Sequence, residues 1–313
     1  MTRDGGPTLA STGGERERIA ALPKRQRFEP LYWVTVVVGV FVILYVAEFL
    51  LSPGWKWDIV ASYLFDERVL WGVARTVGLT VLALCCGLLV GLGVCAARLS
   101  RFRLLRMLAV GYIWVIRALP IMVVLLFTYF LAALVPKLGI GIPGLPMLYE
   151  VETRFVVNQF GAALLCLSLY LGGKAAEIFR GGYLAVGAGQ HEAVRALGLS
   201  PWTALTRATG PQAFRVLIPP LANEVVTAFK NTSVVTVIGY PELLTTVQKV
   251  YLENNETIPM LTVACVWYLT LTSILMFGQI WLERKFGRGF NRRAVVGPAS
   301  AGQSRPFSIP QET

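Results

Sequence analysis

Residues 32–51 read YWVTVVVGVFVILYVAEFLL, an apolar run in which Glu48 is the single charged residue. About twenty helical residues rise roughly 30 Å, which is the thickness of the hydrocarbon core of a bilayer. Ser52, Pro53 and Gly54 follow directly and end the run. The stretch therefore predicts a helix that spans a membrane.

Five further apolar runs follow, and with the first they make six candidate membrane helices. They lie at about 70–97, 104–135, 156–178, 214–238 and 258–282. Several exceed twenty residues, which a tilt or a kink can accommodate. The run at 214–238 is the least apolar because it holds Glu224, Lys230 and Asn231. We expect an all-α, polytopic membrane protein with about six transmembrane helices.

The composition excludes other classes of protein. Hydrophobic residues make up 55% of the chain and charged residues 15%, with a mean hydropathy of +0.60, whereas a soluble domain carries about 25% charged residues. The composition therefore argues against a soluble enzyme and excludes a disordered chain. The net charge of +11 could indicate nucleic acid, but in a membrane protein basic residues collect in cytoplasmic loops, so we expect no nucleic-acid partner. The single histidine, His191, lacks partners for a metal site.

Lys and Arg residues are distributed unevenly between the two sets of loops, with eighteen on one side and five on the other. The positive-inside rule then predicts that both termini are cytoplasmic. Residues 1–30 are polar and lack the features of a signal peptide, so we expect a disordered cytoplasmic tail there and a second tail at 286–313. The outer loops carry eight carboxylates: Asp58, Asp66, Glu67, Glu150, Glu152, Glu242, Glu253 and Glu256.

The loop between the fourth and fifth runs, about residues 183–213, is the most informative. Glu192–Leu197 predicts a short helix that Gly198 ends. Ser200 and Pro201 then predict the start of another helix, as N-cap and first residue. Exposed apolar clusters usually mark interfaces, so this loop predicts a docking surface for a cytosolic partner. The exposed apolar residues would be Leu197, Leu199 and Trp202.

This loop resembles the EAA loop of ABC-importer permeases, whose pattern is Glu-Ala-Ala, three residues, Gly, and then nine residues to Ile-x-Leu-Pro. The chain supplies Glu192, Ala193, Val194, Gly198 and Pro211 at matching positions. It departs from the pattern at the second Ala, which is valine here, and at the Ile and Leu positions, where it has alanine and glycine. The Glu-to-Gly spacing and the proline are intact.

The resemblance covers about residues 70–285. Segments similar to those of polar amino acid permeases lie at 176–182 (AEIFRGG), 211–213 (PQA), 219–224 (PPLANE), 230–233 (KNTS) and 238–243 (IGYPEL). Arg117-Ala118-Leu119-Pro120 resembles that family's Arg-Gly-Thr-Pro. The chain is thus identified as a member of the polar amino acid ABC-transporter permeases, the histidine/glutamine/arginine-type membrane subunits of binding-protein-dependent importers.

The resemblance implies a type I ABC importer transmembrane domain over 70–285, with a coupling loop at about 186–211, in a bacterial inner membrane. Because the family core has five helices, the helix at 31–51 looks like an N-terminal addition. The implied partners are a cytoplasmic ATPase dimer, an extracytoplasmic binding protein that delivers an amino acid, and a second permease, identical or paralogous. The ATPase-docking residues would be Glu192, Ala193, Val194, Leu197, Gly198 and Pro211.

The chain itself lacks a phosphate-binding loop. Gly172-Gly173-Lys174-Ala175 has neither the upstream glycine nor the hydroxyl residue of that motif. We therefore expect a transport subunit that is not an enzyme and binds no cofactor, with ATP and Mg on the partner ATPase.

Ionisable groups inside a membrane are costly and by default indicate a solute path. We interpret Glu177 as the ligand of a substrate ammonium group, and the path would also be lined by Glu224, Lys230, Asn231 and Arg117. A structural ion pair is the alternative, because Arg180 lies three residues from Glu177 on the same helical face. Lys174, three residues before it, could also neutralise Glu177.

Two other classes of function compete with this interpretation. An ion-coupled secondary transporter would show an internal repeat, and none is evident. A membrane-bound enzyme would need a cluster of catalytic groups, which one histidine and five scattered cysteines do not supply. Within the family the solute stays open: a polar or charged amino acid, or a related small solute such as an opine.

Overall fold

The computed structural model describes residues 30–140 and 149–286. They form two compact units, of which the first ends at Trp55 and the second begins at Lys56. Nearly all of the described residues are helical, so the predicted all-α class is confirmed. The expected tails at 1–30 and 286–313 lie almost wholly outside the described residues.

The first unit contributes one long helix, α1 (Pro30–Leu50), which matches the run quoted at the start. Residues 32–50 of α1 are long and apolar enough to cross a membrane. After the helix, the indole nitrogen of Trp55 donates a hydrogen bond of 2.7 Å to the carbonyl of Phe49. This hydrogen bond spans the Ser-Pro-Gly sequence that ends the run.

The second unit holds the remaining elements. Its helices are α2 (Trp57–Leu64), α3 (Glu67–Leu99), α4 (Arg103–Ala118), α5 (Ile121–Tyr129), α6 (Leu131–Leu134), α7 (Thr153–Val156), α8 (Gln159–Leu184), α9 (Ala188–Ala196), α10 (Pro201–Thr203), α11 (Gly210–Asn231), α12 (Leu243–Asn254) and α13 (Thr257–Phe286). Its strands are β1 (Lys137–Ile140) and β2 (Tyr149–Glu152).

The packing of α3 against α8 forms the centre of this unit. A Cβ atom added to Gly91 would lie 2.6 Å from the Cβ of Ala175, and one added to Gly87 would lie 2.7 Å from Leu171 Cδ2. These glycines are four residues apart and buried, the arrangement that lets membrane helices approach closely. The long helix α8 is thereby held in place, and α8 carries several of the charged candidate residues.

The single helix predicted at 104–135 is wrong. The chain bends by 106° between α4 and α5, because Pro120 lacks an N–H group for the helical ladder and disfavours a helical conformation at Leu119. Leu119 accordingly has extended dihedral angles, with φ −98° and ψ 137°. The break turns the end of α4, where Arg117 lies, towards the cavity described below.

Within residues 30–140 and 149–286, four helices are long and apolar enough to span a membrane: α1, α3, α8 and α13. The broken pair α4 and α5 adds a fifth span if it is counted as one. The sixth predicted span exists as α11, followed by a 3-10 turn at Thr232–Ile238. However, α11 is not among the helices that are sufficiently apolar, since it carries Arg215, Glu224 and Lys230.

The two strands were not predicted. They pair antiparallel, with Lys137 opposite Glu152 and Ile140 opposite Tyr149. Lys137 also forms an ion pair of 2.6 Å with Glu150, and this hydrogen-bonded carboxylate raises the pKa of Lys137. Residues 141–148, which connect the strands, lie outside the described residues.

Glu242 is an exception among the expected outer-loop carboxylates, because it is fully buried. It caps α12 by accepting a hydrogen bond of 2.8 Å from the backbone N–H of Thr245. It also accepts one of 2.7 Å from the Tyr268 hydroxyl of α13. Burial raises the pKa of Glu242, and its backbone hydrogen bonds partly oppose the effect. Glu242 therefore stabilises the junction of α12 and α13 and does not belong to the exposed acidic residues.

Candidate functional site

A cavity of about 330 Å³ lies between α4, α8 and α11. It brings together three of the five predicted path residues, Arg117, Glu177 and Glu224, although they come from three different helices. Its lining residues are Ile116, Arg117, Tyr170, Lys174, Glu177, Ile178 and Glu224.

Glu177 pairs with arginines from two other helices. Arg98 Nη1, at the end of α3, lies 3.3 Å from Glu177 Oε1, and Arg117 Nη1 of α4 contacts Glu177 Oε2. The proposed pair with Arg180 is wrong, because the Arg180 Nε is buried and has no hydrogen-bond partner among the described residues. One carboxylate thus links α3, α4 and α8.

Lys174 forms the second ion pair of the cavity. Its ammonium lies 3.4 Å from Glu224 Oε2 of α11 and 5.1 Å from the centre of the Tyr170 ring. The expectation that Lys174 neutralises Glu177 is therefore wrong. Both pairs are largely shielded from solvent on the carboxylate side, with Glu177 33% exposed and Glu224 15% exposed. The cavity consequently presents charges of both signs.

The two remaining predicted path residues lie elsewhere. Asn231 lines a small adjoining space together with Glu224 and Tyr170. Lys230, at the end of α11, is exposed and lines neither space. The arrangement therefore brings Asn231 close to Glu224 and leaves Lys230 apart.

The helix–glycine–helix predicted for the loop between α8 and α11 is confirmed. Helix α9 ends at Ala196, and Gly198 takes a left-handed conformation with φ +58°, which glycine adopts readily. Ser200 Oγ then accepts a hydrogen bond of 3.2 Å from the backbone N–H of Thr203, as an N-cap does. The sequence analysis missed a π-helical turn at Ala204–Thr209 before α11.

Apolar side chains of this loop lie exposed, as the docking interpretation requires. Leu197 and Trp202 are each 73% exposed. Glu192, Ala193 and Pro211 are also exposed, and Val194 is half-buried. An exposed apolar cluster beside an acidic residue has the character of a protein-docking surface.

Comparison with known proteins identifies the family. Residues 87–288 match the family of the binding-protein-dependent transport system inner membrane component. The chain belongs to this family. It is therefore a multi-pass permease of the bacterial inner membrane.

Several curated permeases are similar in sequence to this chain. The arginine transport system permease protein ArgU of Corynebacterium glutamicum is 33% identical over 93% of this chain and 92% of its own length. The glutamine permease GlnP of Escherichia coli K12 is 32% identical over 71% and 97%, and the nopaline permease NocQ of Agrobacterium fabrum is 31% identical over 70% and 93%. The alignment with ArgU therefore covers more of this chain than the alignments with GlnP and NocQ do.

Solved structures give the same fold. The crystal structure of an amino acid ABC transporter with histidines matches with a TM-score of 0.60 and 28% identity, over 73% of this permease and 98% of that chain. An inward-facing MetNI methionine ABC transporter matches with a TM-score of 0.55 and 16% identity, a likeness of fold alone. The type I ABC importer fold is thus confirmed.

Proposed function

We propose that this permease carries a polar or charged amino acid through the cavity between α4, α8 and α11. The observation that carries the proposal is the convergence of Arg117, Glu177, Lys174 and Glu224 on one cavity. An amino acid has one ammonium and one carboxylate. The acidic side chains of the cavity can therefore release their basic partners and pair with the ammonium of the solute, and the basic side chains can pair with its carboxylate. Ionisable groups in membrane segments are expensive unless they are used or paired.

The relatives support this class of solute. Permeases named for arginine, glutamine and nopaline transport share about a third of their residues with this chain. All three names denote solutes with an α-carboxylate and an adjacent nitrogen. ArgU shares the longest alignment of the three, so arginine is the first solute to test. Because NocQ is named for nopaline, an opine is the second candidate.

We further propose that the cytoplasmic loop couples the permease to an ATPase. Leu197 and Trp202 would insert into the ATPase surface, with Glu192, Ala193, Val194, Gly198 and Pro211 completing the contact. In this arrangement ATP and Mg are bound by the ATPase, and the chain described here binds no cofactor. A binding protein would deliver the solute on the opposite side, and a second permease, identical or paralogous, would complete the membrane pair.

Uptake into liposomes tests the proposal. The permease would be reconstituted with a candidate ATPase and a candidate binding protein from the same genome, and ATP-dependent uptake of labelled arginine, glutamine, histidine and nopaline would be compared. We expect uptake of one or a few of these solutes. A complex that stays intact and hydrolyses ATP but takes up none of them would contradict the proposed solute class.

A further inference from the structure

A second cavity, of about 400 Å³, lies between α3, α4 and α8. It shares Arg117 and Glu177 with the proposed solute path but has neither Lys174 nor Glu224 in its wall. Its lining residues are Arg98, Val110, Ile113, Trp114, Arg117, Ala118 and Glu177.

The charges at this cavity do not balance. Arg98 and Arg117 share a single carboxylate, Glu177. Two guanidinium groups at the cavity wall thus face one carboxylate, which leaves a site for another anion.

Guanidinium groups bind phosphate and carboxylate oxygens with two parallel hydrogen bonds. The rest of the cavity indicates what kind of anion binds there, because the wall that α4 provides is apolar. Trp114 is 71% exposed and Val110 45% exposed, so the apolar wall continues from the arginines onto the outer surface of the helix. An anion with an attached hydrocarbon chain can contact both the arginines and the apolar wall, whereas a free anion would contact only the arginines.

The position along the helices fits a lipid headgroup. Arg98 is the second-last residue of α3, and it precedes the loop with Arg101, Arg103 and Arg106, on the side where basic residues predominate. That side is cytoplasmic by the positive-inside rule. Basic pockets between membrane helices on this side are suited to anionic lipid headgroups, and tryptophan is enriched at the interface.

We propose that this cavity binds the phosphate group of an anionic phospholipid from the cytoplasmic leaflet. Arg98 and Arg117 hold the phosphate, and an acyl chain lies along Val110 and Trp114. The lipid supplies the negative charge that Glu177 alone does not provide. It also fastens α3, α4 and α8 together at the edge of the solute path.

Lipid retention by the full-length purified permease tests this proposal without any transport assay. The protein would be exchanged into detergent with equal amounts of phosphatidylglycerol and phosphatidylcholine, and bound lipid would be measured by native mass spectrometry. We expect selective retention of phosphatidylglycerol, reduced about fivefold by Arg98→Gln, since one arginine near anionic lipid contributes roughly a fivefold change in binding. Arg106→Gln removes the same charge from an exposed position outside the cavity and should leave retention unchanged.

Two further arms keep the test decisive. Trp114→Ala changes no charge and alters an exposed side chain, so it should fold normally and still reduce phosphatidylglycerol retention. Equal loss in Arg98→Gln and Arg106→Gln would show general surface attraction and overturn the proposal. Binding of inorganic phosphate that depends on Arg98, without selective retention of phosphatidylglycerol, would assign the site to a free anion and also overturn it.

Discussion

The Lys174 ammonium lies 3.4 Å from the Glu224 carboxylate and joins α8 to α11 at the wall of the cavity. The two residues are fifty positions apart in the chain, so only the fold brings them together. The pair is partly shielded, with side-chain exposures of 30% and 15%. Removal of one partner would leave the other charge uncompensated in poorly solvated surroundings.

A double-mutant cycle at this pair separates its structural and transport roles. Glu224→Gln and Lys174→Met should each lower the thermal stability of the purified permease, by up to a few kcal/mol, because each leaves an unpaired charge. The double variant should recover much of the stability, since no uncompensated charge remains. Uptake should stay low in all three. Normal uptake by the double variant would show that the pair is structural only.

Glu177→Gln should reduce uptake and destabilise the junction of α3, α4 and α8. The substitution leaves Arg98 and Arg117 without their shared carboxylate, which costs roughly 1–3 kcal/mol for a charge-assisted contact. Uptake and thermal unfolding would be measured beside Glu67→Gln, which changes an exposed carboxylate at the start of α3. A variant that is destabilised but transports normally would remove Glu177 from the solute path.

Gly198→Ala should weaken coupling to the ATPase. Gly198 has φ +58° and open space around it, so alanine meets no clash but must adopt a left-handed conformation that costs about 1 kcal/mol. Gly189→Ala is the matched control, because Gly189 also has open space and lacks the positive φ. We expect less ATPase to copurify with the first variant than with the second. Equal copurification would show that the turn at Gly198 does not position the docking surface.

Glu242 should make stability depend on pH. Its folded pKa lies above the ordinary value, so the folded protein keeps this proton to a higher pH than the unfolded chain does. The contribution of Glu242 to the free energy of unfolding is therefore most favourable below the pKa of the unfolded chain, about 4.5, and it declines as pH rises through the folded pKa. Thermal unfolding in detergent from pH 4.5 to 7.5 should show this decline, and Glu242→Gln should flatten it. An unchanged slope in the variant would contradict the assignment.

The membrane helices and the helix–glycine–helix loop were predictable because both depend on local sequence. Apolar runs determine the spans, and Gly198 and Ser200 carry the turn and capping preferences of their own positions. The break at Leu119 and Pro120 was also accessible, since a proline inside a helical run ends or kinks it. Hydropathy alone does not indicate this break, because the apolar run continues on both sides of the proline.

The partners of the charged residues were not predictable. Spacing along one helix suggested Arg180 for Glu177, yet Arg98 and Arg117 reach it from other helices. Glu242 was counted with the outer acidic residues, but tertiary packing buries it against Tyr268. In both cases the contact joins residues far apart in the chain, and periodicity contains no information about such pairs.

Protection of a cavity cysteine by the solute tests the central claim most directly. Ile178 lines the cavity, so Ile178→Cys would be introduced after the five natural cysteines have been replaced, with Val115→Cys, exposed on α4, as the control. In the reconstituted complex, a thiol reagent should inhibit uptake through the first site only, and the transported amino acid should slow that reaction. Modification at Ile178→Cys that neither inhibits uptake nor responds to the solute would contradict a solute path through this cavity.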